Sequence, residues 1–232
     1  MHLTCLMSSV ALDHRPSVEW LIDQGVDINQ AEETFNASLP KGERDQTVAV
    51  LQHAARMGDT QLFDYLVSRG ADPTKSLALD SACWIGDPVM IAHLIKKYNF
   101  DVNGDDTCGG LRSYRNRAEH GVFPLEKAVY YERLGAIEIL MENGADKDKA
   151  LGVAVGNGSQ PADRPEPLKM LLDAGADPDK AAEKAVWCNN VKALETCFEY
   201  GADPAAAKEY QSSTLPHHEM SAKMLKLCRA WE

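Results

Sequence analysis

Three short stretches of this 232-residue chain place a carboxylate four residues before a large aromatic side chain: Asp80 before Trp84, Glu126 before Tyr130, and Glu183 before Trp187. On a helix, residues i and i+4 share a face, so each acid lies one turn below its ring. A pair of this kind suits a planar or compact cation. A guanidinium forks onto the carboxylate, and the ring face adds about 0.5–2 kcal/mol by cation–π attraction. The expected ligand is therefore an arginine-like or lysine-like group. Two plainer readings stay open. An acid in a first helical turn is favoured by the helix macrodipole whatever the protein does, and Trp and Tyr are general anchors of protein-binding surfaces.

Other reactive side chains are less organised. His53 stands near Arg56 and could act as a base, or could simply be exposed. Cys188 has no histidine partner in its own stretch and reads as a packed thiol. His217 and His218 are adjacent rather than at metal-ligand spacing, so no metal is expected. No Gly-rich loop carries a phosphate-binding lysine and no dinucleotide fingerprint is present. Two local basic patches stand out: Arg112, Arg115 and Arg117 in one segment, and Lys223, Lys226 and Arg229 near the end. Each can equally be a solvated face.

The elements that must position these residues show best in Phe123-Pro-Leu-Glu-Lys-Ala-Val-Tyr-Tyr and the following Gly135-Ala-Ile-Glu-Ile-Leu-Met-Glu-Asn-Gly-Ala-Asp146. Pro124 suits a first helical turn, where its missing N–H costs nothing. Leu125, Ala128 and Val129 recur at helical spacing, as do Ile137, Leu140 and Met141. Gly144 closes the second helix, where a left-handed residue is wanted. The same register returns over 4–27, 49–72 and 180–203 without a gap, over 77–101 with one extra residue, and over 149–177 with about five extra residues. Gly58-Asp59 and Gly86-Asp87 make the tight turns within the second and third units.

These units resemble ankyrin repeats. The family's helix start is matched by Phe123-Pro-Leu-Glu-Lys-Ala-Val, and its closing motif by Gly70-Ala-Asp-Pro, Gly144-Ala-Asp, Gly175-Ala-Asp-Pro and Gly201-Ala-Asp-Pro. The resemblance implies one all-α solenoid over 1–232. It would have about six helix-turn-helix units, two long finger-side inserts at 28–48 and 102–122, and a C-terminal capping helix within 206–232. Met224, Leu227, Cys228 and Trp231 form the apolar stripe of that cap, with Met220 at its start. The resemblance also implies that the two residues after each first helix's paired small residues point into a concave groove. Those positions include Arg56, Trp84, Tyr130, Tyr131 and Trp187, which with Asp80 make the candidate binding set.

Composition agrees. No run of about 18 apolar residues exists, so no membrane span is expected. The start lacks a basic leader region and already fills the first unit's register, so it reads as structure rather than as a signal. Six cysteines without a CxxC pair favour a reduced, cytoplasmic protein. A net charge of −11 argues against nucleic-acid binding over the whole surface.

Two functions fit this sequence. A non-catalytic ankyrin-repeat adaptor would bind a partner protein or basic peptide through the groove and inserts. The degenerate repeats, inserts and acidic-aromatic groove are also similar to fungal arginine-containing cyclodipeptide synthases, whose chains are ankyrin-like. That second resemblance implies aminoacyl-tRNA as substrate, acyl transfer and diketopiperazine closure, without metal or redox cofactor. Under it, Glu126, Glu183 or His53 would accept the attacking amine's proton. Asp80 with Trp84 would hold the guanidinium, and the Arg112, Arg115 and Arg117 segment or Lys223 and Lys226 would meet tRNA phosphates.

Overall fold

The computed structural model describes residues 2–29, 49–104, 123–157, 160–214 and 221–231. Most of both long inserts therefore lies outside the described residues, as do Arg112, Arg115, Arg117, His217, His218 and Met220. The chain divides into two compact units, Met1–Arg115 and Asn116–Glu232.

The first unit holds three helix pairs: α1 (His2–Ala11) with α2 (Arg15–Asp23), α3 (Ala49–Met57) with α4 (Thr60–Ser68), and α5 (Ala78–Ile85) with α6 (Pro88–Tyr98). Each first helix packs on its own second helix, and α3 lies between α1 and α5. Alanines explain the close approach: Ala54, Ala55, Ala78 and Ala82 are fully buried, with Phe63, Leu66, Met90 and Ile91 filling the layer behind them. Every first-to-second-helix turn here contains a left-handed residue, namely Asp13, Gly58 and Gly86. A Cβ on Gly58 would fall 2.3 Å from a side-chain oxygen of Asp87, which would have to move to admit it.

The second unit repeats the plan with α7 (Pro124–Tyr130) and α8 (Leu134–Glu142), α9 (Lys147–Val155) and α10 (Pro165–Asp173), and α11 (Pro178–Trp187) and α12 (Val191–Glu199). Helix α7 starts at Pro124 as its sequence requires. Helices α9 and α11 start two residues before the repeat register suggests, because Asp146 and Asp177 cap them by accepting the N–H of Asp148 and of Asp179. The extra residues of the fifth repeat open on a two-residue antiparallel ladder, Gly156 opposite Pro161 and Asn157 opposite Gln160. Among the described residues this is the departure from an all-helical fold. Asn190 anchors its return: the buried side-chain amide donates to the carbonyls of Val155 at 2.7 Å and Ala162 at 2.8 Å, while its oxygen caps α12 at Ala193.

The C-terminal cap differs from the single helix expected. Helix α13 (Pro204–Thr214) packs on α11, and α14 (Ala222–Trp231) packs on both α12 and α13. Met224 and Cys228 of the expected stripe are buried, whereas Trp231 stays partly exposed with its ring 6.0 Å from that of Phe198. The signal for α13 was present: Gly201-Ala-Asp-Pro precedes it just as Gly175-Ala-Asp-Pro precedes α11, with Asp203 accepting from the N–H of Ala205.

Candidate functional site

Arg56 lies in the last turn of α3, where a cation complements the exposed carbonyls. Its guanidinium carbon lies 4.5 Å from the centroid of the Trp84 ring on α5. An arginine thus does sit on this aromatic face, and it belongs to the chain itself. Asp80 stands half-buried in the first turn of α5, one turn below Trp84. His53 is half-buried on α3, one turn before Arg56.

Tyr130 carries a second internal guanidinium. Arg164, in the extra residues of the fifth repeat, holds its guanidinium carbon 4.7 Å from the Tyr130 centroid. It also donates to the carbonyls of Tyr130 at 3.2 Å and Val153 at 2.9 Å. The first helices of two neighbouring repeats, α7 and α9, are clamped by this one side chain. A third cation, Lys149, lies 4.1 Å from the Phe123 ring centroid. Tyr131 meets Tyr130 edge to face at 5.0 Å. Burial, with the charge of the neighbouring Tyr130, raises the pKa of the Tyr131 phenol, though Arg133 opposes the shift.

The two candidate bases are held differently. Glu126 turns back on its own helix, its carboxylate accepting the Phe123 N–H at 3.0 Å. This satisfies one of the donors that a helix start leaves without an intrahelical partner. Glu183 is half-buried on α11, and Tyr210 on α13 has its phenol pKa raised by burial, then by the nearby charges of Glu183 and Cys188. Helix α13, which packs on α11, therefore brings Tyr210 near Glu183. Cys188 is buried and burial raises its thiol pKa, the opposite of what a nucleophile needs. Trp187 remains 46% exposed at the end of α11. Lys223 and Lys226 lie exposed on α14, opposite the buried Met224 and Cys228.

Two features had no place in the sequence reading. Lys127 sits half-buried on α7 between core positions, and burial pushes its ammonium pKa down to about 7. Asp64 on α4 gathers three donors from α6: His93 at 2.8 Å, Lys97 at 2.7 Å and Tyr98 at 2.6 Å. Burial alone would raise the pKa of Asp64, but the hydrogen bonds from Lys97, Tyr98 and His93 outweigh it and hold the carboxyl at about 2. The i, i+4, i+5 spacing of His93, Lys97 and Tyr98 was visible, but its acceptor lies on another repeat.

Among the described residues no group of three or more His, Cys, Asp or Glu side chains could hold a metal, and no helix is long and apolar enough to cross a membrane. A cavity of about 170 Å³ lies in the second unit between Ala162, Arg164, Leu168, Asn190 and Thr196, and none of the predicted catalytic residues lines it.

No protein-family model and no curated protein sequence matches the chain. Solved structures do. The ankyrin repeat domain of human ASB11 superposes with a TM-score of 0.62 at 20% identity, covering 96% of each chain. The ankyrin repeat domain of Bcl-3, a member of the IκB protein family, does so with a TM-score of 0.61 at 20% identity over 97% of each chain. The fold is therefore that of ankyrin repeat domains. The resemblance to cyclodipeptide synthases, with the tRNA substrate and transferase activity it implied, gains no support from these comparisons.

Proposed function

We propose that this chain is a non-catalytic adaptor that binds a partner protein across the ends of its first helices. The observation that carries this reading is the state of the aromatic positions. The faces of Trp84 and Tyr130 already carry Arg56 and Arg164, while Leu12, Met57 and Ile85 in the first unit present open apolar surface. Glu126 caps its own helix start and Glu183 lies near Tyr210 of α13, arrangements that favour structural over catalytic roles. A broad, partly apolar surface suits protein recognition. Both solved neighbours are ankyrin repeat domains, which supports the same reading through the fold. The acidic balance of the chain favours a basic partner.

Site-specific photo-cross-linking tests this proposal. A photoreactive side chain at position 57 or 187 should give a discrete adduct of one protein, and the same probe at position 68, on the second helix, should not. Mass spectrometry of a host expressing the chain should show no new cyclic dipeptide. An arginine-containing diketopiperazine, lost in Glu183→Gln, would overturn the adaptor reading and restore the synthase.

A further inference from the structure

Leu12, Met57 and Ile85 occupy equivalent places at the ends of α1, α3 and α5, and are 78%, 40% and 40% exposed. Because α3 packs between α1 and α5, the three side chains form one row across the first unit. Neighbouring packed helices lie about 8–10 Å apart, so the row repeats at about that interval. We infer that this row seats one amphipathic α-helix of the partner, with apolar side chains at heptad spacing and a basic flank. The inference rests on the adaptor reading above and names its ligand.

The spacing selects the helix. Seven helical residues advance about 10.5 Å and return to nearly the same face. Three residues of an extended strand cover a similar distance but point the third side chain to the opposite face. A polyproline segment also repeats near 9 Å, but such ligands dock in grooves lined by aromatic rings. Here the row is Leu, Met and Ile, and the nearest large ring, Trp84, is covered by Arg56. Aliphatic and thioether surfaces of this kind receive the apolar face of a helix.

Charge selects the flank. Immediately beyond the row, the turns carry Asp13, Asp59 and Asp87, and Asp80 lies one turn behind Trp84. Arg15 pairs with Asp59 at 2.6 Å and with Asp13 at 3.7 Å, Asp59 and Asp87 also cap α4 and α6 through one oxygen each, and Arg56 lies on the Trp84 ring. Acids therefore outnumber cations along the border, and Lys or Arg on the partner helix would complement them.

The probe is a designed helix-forming peptide of about three heptads, with Leu at every seventh position and Lys along one flank. Fluorescence anisotropy measures its binding to the full chain, and circular dichroism its helicity. The expected result is saturable binding with a gain of peptide helicity. A peptide of the same composition with Leu at every fifth position, and one with Glu replacing Lys, should each bind about tenfold more weakly or worse. Met57→Glu should weaken binding at least about tenfold while Met57→Leu retains it, both variants keeping the parent helical spectrum. Equal binding of the two Leu spacings, preference for the Glu peptide or a proline-rich peptide, or full binding by a folded Met57→Glu variant would each overturn the inference. If position 57 cross-links a partner that contacts it without a helix, the helical ligand is wrong and the adaptor stands. Failure of cross-linking at both groove positions rejects the adaptor instead.

Discussion

At the scale of single residues, the polar side chains that matter are those joining one repeat to the next. Asn190 is the clearest, since one buried amide holds two carbonyls of the fifth repeat and caps a helix of the sixth. Asn190→Ala leaves those groups without a donor or acceptor and should cost about 2–4 kcal/mol, measured by urea denaturation. Asp64 makes a pH-dependent contribution. Its folded pKa of about 2 lies below the ordinary 3.8, so its stabilisation is fully present above about pH 5. It is lost as pH falls towards 2. The melting temperature of the wild type should exceed that of Asp64→Asn at pH 7, and the gap should narrow on acidification. A gap that widened with acid would contradict the hydrogen-bonded cluster.

At the scale of elements, the repeat's weak point is its open end, and α13 with α14 covers it in the second unit. Helix α14 is two-faced: Met224 and Cys228 are buried while Lys223, Lys226 and Arg229 are exposed. Met224→Ala should destabilise by about 2–5 kcal/mol through the cavity it leaves. Lys226→Ala should change stability by less than about 0.5 kcal/mol, in the same denaturation series. Comparable losses from both would mean that the basic face is packed against something. The fingers join neighbouring repeats as well. The Asn29 side chain bonds the backbone of Gly70 and Asp72 in the first unit. In the second, Asp148 accepts from the N–H of Asp177, and Asp179 from that of Asp203. Each such residue stands two places after the closing Asp of its repeat, a regularity readable from the register though its partner is not.

At the scale of the whole molecule, charge sets how a partner arrives. With a net charge of −11, the chain should attract the basic helical peptide at a distance greater than contact. Raising salt from about 50 to 500 mM shortens the screening length severalfold. The association rate should then fall by about tenfold with little change in dissociation rate, as read by stopped-flow fluorescence. An insensitive association rate would mean that apolar contact alone guides the encounter.

The sequence by itself determined the repeat. Helical periodicity, alanines at close-packing positions, left-handed residues in the turns and aspartates at helix starts are local properties, and a stacked array needs only local units that fit their neighbours. Hence the helix pairs, the start at Pro124 and the ankyrin fold were legible. The identity of what meets the aromatic rings was not. Both the Arg56 guanidinium and the Arg164 guanidinium reach rings in a neighbouring repeat, and α13 brings Tyr210 near Glu183 from beyond the last recognised unit. Spacing along one helix shows which residues share a face; only the packing of one repeat on the next decides which side chain from elsewhere gets there first.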